Sequence, residues 1–121
     1  MRTVVLALVG VLFTGMGLYA LVAPAALARP FGLSASTAVS RTEIRAVYGG
    51  FGVAIAGVLF WSAFGSGELR TGAALTVGVA LAGMAGGRVL SWLVDRGMRF
   101  YPIWFYCLVE LAGAGLVLAV A

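Results

Sequence analysis

The chain has 121 residues, of which 63% are hydrophobic and 10% charged, with a formal net charge of +4 and a mean hydropathy of +1.11. A water-soluble domain of this size must cover most of its surface with polar groups, and eight arginines and four acids, with no Lys, His, Asn or Gln, are too few to do so. Composition therefore excludes a soluble globular domain, a disordered chain and a disulfide scaffold, and leaves an integral membrane protein with lipid as its solvent.

In chain order, four apolar segments are bounded by charge, Pro or Gly-Ser punctuation. The first runs from about Thr3 to Ala23 and stops at Pro24. Arg2 before it, and Ala26-Leu27-Ala28 after it, imitate a cleavable signal peptide. The uncharged stretch from Val4 to Ala23 is longer than a signal core needs, so it is expected to be retained as a span. The connector from Ala25 to Ser40, with Pro30, Phe31 and Leu33, is expected to lie along the interface as a short amphipathic piece. The second segment starts near Arg41 and ends near Phe64. Its opening Ser40-Arg41-Thr42-Glu43 has the capping-box form, with Ser40 as N-cap and Glu43 at the third helical position. The Gly65–Arg70 turn makes spans two and three antiparallel neighbours. Span three covers about Thr71 to Val94, and Asp95-Arg96-Gly97-Met98-Arg99 closes it. Span four begins at Pro102, a proline suited to a first helical turn, and runs to Ala121. Each segment has about the 20 residues needed to cross a hydrocarbon core of about 30 Å, and lipid requires that they be helices. The expected fold is all-α, a four-helix transmembrane bundle forming one domain.

Aromatic residues mark the two interfaces, with Phe60, Trp61 and Phe64 at one and Tyr19, Trp92, Phe100, Tyr101 and Trp104 at the other. Arginines scattered at the ends of apolar runs form no basic stripe, so they indicate topology and headgroup contact rather than nucleic acid. An even number of spans puts both termini on one side. The loops opposite the termini carry Arg29, Arg41, Arg96 and Arg99, against Arg2 and Arg70 on the terminal side. Positive-inside counting then places a multi-pass protein in the cell (inner) membrane with both termini outside. Cys107 is the sole cysteine and there is no histidine, so no cofactor and no nitrogen/sulfur metal site is expected.

Charges inside the spans carry the most information, because lipid makes each one costly unless it is paired or hydrated. Arg88, Ser91 and Asp95 share one face of span three. At 1.5 Å per residue, Arg88 lies about 10 Å from the Asp95 end of its helix and Glu110 about 12 Å from the Pro102 end of the next. The two are thus at similar depth on adjacent helices, and an ion pair is expected, either direct or bridged by Ser91 or Tyr106. Glu43 and Arg45 project about 200° apart around span two, so only one of them can face the interior. Tyr48 lies one turn deeper than Arg45 on nearly the same side. Two readings stay open. In one, Arg88–Glu110 fixes helix register, Glu43 caps and Arg45 snorkels. In the other, Glu43, Arg45, Tyr48, Arg88, Ser91, Asp95 and Glu110 line a polar pocket open to one side. Glycines in Gly83-Met84-Ala85-Gly86-Gly87, and Gly49, Gly52 and Ala56 on span two, give smooth faces for close helix packing. The near repeat of Gly52–Gly57 and Gly78–Gly83 follows from composition. No Walker motif, nucleotide fingerprint, HExxH or nucleophile elbow occurs, and no nucleophile–base set points to an enzyme.

Glu43-Ile44-Arg45-Ala46-Val47-Tyr48-Gly49-Gly50, Gly87-Arg88 followed by Ser91 and Asp95, and Glu110 together resemble the DUF4345 family. The resemblance covers essentially the whole chain and implies a small bacterial four-span membrane protein, with a shared polar set and no assigned reaction. The family pattern has Asp-Gly after span three, where this chain reads Asp95-Arg96-Gly97. The expected function is a membrane-embedded site for a small amphipathic or lipid-like molecule, with membrane lipid and a homo-oligomer as further partners. The alternatives are an accessory or assembly subunit of a larger membrane complex, and a small dimeric transporter or channel. Against proton-coupled export, no acid occurs between Val4 and Ala23.

Overall fold

A computed structural model describes residues 1–96 and 100–121. Four of its helices are long and apolar enough to cross a membrane: α1 (Arg2–Val22), α3 (Ala38–Ala63), α4 (Glu68–Val94) and α5 (Phe100–Val120). A fifth helix, α2 (Pro24–Ala28), is short and lies in the first connector. The expected Asp95–Arg99 turn and Arg99 fall partly or wholly outside the described residues.

Two spans start a turn earlier than punctuation suggests. The N-cap of α3 is Thr37 rather than Ser40, and its hydroxyl accepts from the Ser40 amide at 3.1 Å. Ser40 therefore sits inside the first turn, and Glu43 is exposed one turn too late to close a capping box. α4 begins at Glu68 because Gly67, with φ 114°, takes the positive dihedral that turns the chain into the helix. Glu68 in the first turn then meets the positive end of the helix dipole. The start of α5 is less regular than a first-turn proline implies. Tyr101 has extended dihedrals (φ −98°, ψ 131°), and regular α-helix runs from Phe105 to Val120.

The helices associate as two antiparallel pairs, α1 with α3 and α4 with α5. α1 and α3 approach closely at Gly17, where a Cβ would come within 2.9 Å of the Val53 amide nitrogen and 3.0 Å of the Gly49 carbonyl. Gly49, Gly52 and Ala56 are buried on the facing side of α3, the smooth face that lipid-solvated packing requires. The Gly83–Gly87 face of α4 is different. Gly83, Gly86 and Gly87 are exposed with nothing within 4 Å, so they pack no helix of this chain. α4 instead meets α5 at buried Gly78, against Leu118 and Val117.

The pairs join at the end that carries the chain termini. Leu6 and Val9 of α1, Leu59 and Ala63 of α3, Val77 and Leu81 of α4, and Ala114 and Val117 of α5 form one buried cluster there. Polar groups complete this end, because the last four carbonyls of a helix have no partner within it. At the end of α3, Phe60 O accepts from the Phe64 amide at 3.1 Å and Trp61 O from Arg70 at 2.6 Å. Ser62 O accepts from Arg2 at 2.7 Å and Ala63 O from Thr3 at 3.0 Å. All four acceptors are satisfied, two of them by arginines placed at the negative end of the dipole. At the opposite end no buried cluster among the described residues unites the four spans. Ala20, Leu27, Ala28 and Ile44 form a smaller one from α1, the connector and α3.

Candidate functional site

The gap left between the two helix pairs at the connector end is a cavity of about 520 Å³. Its shape follows from three local features. Gly17 and Gly49 hold α1 and α3 together, so the space opens towards α4 and α5. α3 carries a π-helical turn at Arg45–Gly50, and the extra residue re-aims Ala46, Val47 and Tyr48 onto the cavity wall. The connector forms α2 and the 3₁₀ turn Arg29–Phe31 and buries Leu27 and Ala28 against the bundle. Leu27 and Phe31 line the cavity from that side. Gly32, at φ 68°, ends the turn.

One corner of the cavity is polar. Arg88 Nε donates to Glu110 Oε2 at 2.8 Å and Arg88 Nη2 donates to Glu110 Oε1 at 2.9 Å. The expected pair thus forms directly, without Ser91 or Tyr106 as a bridge, in the bidentate geometry that best satisfies a guanidinium and a carboxylate. The Glu110 side chain is 7% exposed and that of Arg88 21%. The guanidinium carbon lies 5.8 Å from the Tyr106 ring centre and 6.0 Å from that of Phe31. These two rings pack on each other at 5.3 Å, so the connector touches the ion pair through Phe31. Tyr48 and Tyr106 also line the cavity. No other ion pair occurs among the described residues.

Of the seven residues singled out in the sequence, Tyr48, Arg88 and Glu110 meet at this cavity. The other four do not line it. Arg45 is exposed, and its Nε caps the end of α1 by donating to Leu21 O at 3.0 Å. Glu43 and Asp95 are exposed at the outer ends of their helices, and Ser91 is half-buried beyond the ion pair. Lining residues missing from that set include Tyr106, Phe31, Leu27, Phe13 and Met16. For Tyr106 the signal is present, four residues before Glu110 and so on its face. For Phe31 it is faint: a large aromatic beside Pro30 in a connector, away from any span end.

Fold and site together define a helical bundle, able to cross a membrane, that holds a charged pair at an internal apolar cavity. The chain belongs to the DUF4345 family, a domain of unknown function, whose pattern matches residues 1–121. No curated protein and no solved structure matches the chain.

Proposed function

We propose that the protein binds a small amphipathic or lipid-like molecule within the membrane, in the cavity between its two helix pairs. The observation that carries this reading is a cavity of about 520 Å³ with apolar walls and one polar corner, made by Arg88 and Glu110. That volume lies within the range of small-molecule sites, about 300–1,000 Å³, and few polar groups converging in an apolar recess is their usual composition. A pair needed only for helix register would be served by a packed surrounding, whereas this one borders open space. The polar corner orients a head and the aromatic and Met walls hold a tail. The membrane is a cell (inner) membrane, with both termini outside by the arginine count.

The test is extraction from native membranes in mild detergent, followed by mass spectrometry of retained small molecules. Wild type is expected to retain a defined species that the Arg88→Leu/Glu110→Leu double variant loses while still folding. Unchanged ligand content in a stable double variant overturns the reading. A stoichiometric protein partner in the same preparation supports the accessory-subunit alternative, which the outward glycines of α4 favour.

A further inference from the structure

The cavity wall is unevenly exposed. The lining residues contributed by α1, α5 and the connector are all buried or half-buried. The exposed ones are Ala46, Val47 and Phe51 on α3 and Met84 on α4. Val47 is 55% exposed, Phe51 57% and Met84 42%. The opening therefore lies between α3 and α4, on the side of the bundle where the two helix pairs part. Phe51 sits midway between Ala38 and Ala63, the ends of α3, and so near the middle of the membrane span. Every exposed residue at the opening is apolar. On the water side the connector covers the cavity with Leu27, 9% exposed, and with Phe31 stacked on Tyr106.

The charge balance of the site is equally specific. Among the described residues, Arg88 and Glu110 are the only formal charges on the lining, and each neutralises the other through two hydrogen bonds. An anionic or cationic head would bring an uncompensated charge into a low-dielectric recess. A neutral head would not. It would find a donor in Arg88 Nη1, which no protein group engages among the described residues.

We infer that the site takes a neutral, hydroxyl- or carbonyl-headed lipid directly from the bilayer, through a lateral opening between α3 and α4, with its head at Arg88–Glu110 and its chain among the aromatic walls. The inference rests on the binding role proposed above and adds the route and the charge class.

The experiment uses Phe13→Trp as a fluorescent reporter on the cavity wall, in a background of Trp61→Phe, Trp92→Phe and Trp104→Phe, reconstituted in phosphatidylcholine vesicles. Met16→Trp serves as a second reporter if the first does not fold. The probes are a long-chain alcohol brominated in its chain, the matching brominated alkyl sulfate, and aqueous iodide. The alcohol is expected to quench the reporter at about tenfold lower mole fraction than the sulfate, the ratio expected from excluding one charge at about 1.4 kcal/mol. Iodide is expected to leave it unchanged. Quenching by iodide above that by the alcohol overturns the lateral route, and a sulfate as effective as the alcohol overturns the neutral head. If no brominated probe quenches while wild type from native membranes still carries a retained molecule, the route fails and the binding role stands. If nothing is retained either, both fall.

Discussion

At the terminal end of the bundle all four spans share one buried cluster, and the end of α3 has every carbonyl satisfied by Arg2, Thr3, Arg70 or its own chain. At the connector end the same helices are separated into two pairs, and the space between them holds an ion pair and a cavity. Lipid accounts for the coexistence of both arrangements in one small chain. Hydrophobic burial gives little drive between helices when the solvent is as apolar as the core. Contacts form where small side chains and capped carbonyls make close packing favourable, and elsewhere a gap can persist. The terminal end uses arginine to close the structure, whereas the connector end uses it to furnish a polar surface inside.

The strongest way to break this contrast is to remove one member of the pair. Glu110→Leu leaves Arg88 unpaired among Phe31, Tyr106 and apolar walls, and should destabilise the bundle by about 3–5 kcal/mol. The Arg88→Leu/Glu110→Leu double variant should recover most of that loss, because an apolar pair of similar volume suits the site nearly as well as an ion pair does. Thermal unfolding in detergent of the two single variants and the double variant gives the coupling directly. A cost below about 1 kcal/mol for Glu110→Leu would mean that water reaches Arg88 and screens it, so that the connector end is not dry.

The depth match that pairs Arg88 with Glu110 was legible in the sequence, because helical rise is fixed and both residues are counted from the same interface. So were the four spans, since an uncharged apolar run of about 20 residues matches the thickness of the hydrocarbon core. Rotation and local boundaries were not. Arg45 lies within the second apolar segment, yet its stem reaches the free carbonyl of Leu21, a partner created only by the way α1 ends. Glu43 is displaced from a capping role because Thr37, not Ser40, starts the helix. The cavity itself has no linear signature. It depends on the π-helical turn, the glycine crossing and the folded connector acting together, and each is a tertiary outcome.

A smaller effect is expected at the closed end. Arg2→Ala removes donors from Ser62 O, Ser62 Oγ and Gly65 O, leaving the two carbonyls at this part-buried helix end without their arginine partner while Ser62 Oγ keeps its bond to Arg70 O. The loss should be about 1–3 kcal/mol, with no change in the molecules retained from native membranes. Lower ligand content in Arg2→Ala at equal folded yield would show that the two ends are mechanically coupled, with closure of one setting the width of the other. An unchanged content would show that the cavity is held open by its own neighbours, chiefly the crossing at Gly17 and Gly49.

The smallest effect should come from the outward face of α4, which belongs to neither end. Nothing lies within 4 Å of a Cβ built at Gly83 or Gly87, so alanine meets no obstacle there. In a helix interior alanine is favoured over glycine by about 0.5–1 kcal/mol, chiefly because glycine loses more backbone freedom on folding. Gly83→Ala and Gly87→Ala should therefore each raise the stability of the isolated bundle slightly, as read by its melting temperature in detergent. Size-exclusion chromatography of the same samples gives that result its meaning. If either substitution instead lowers stability and shifts the protein to a smaller particle, the two glycines are covered by another helix in the membrane. The open face of α4 would then be a contact surface, and the opening between α3 and α4 would border a partner rather than free lipid.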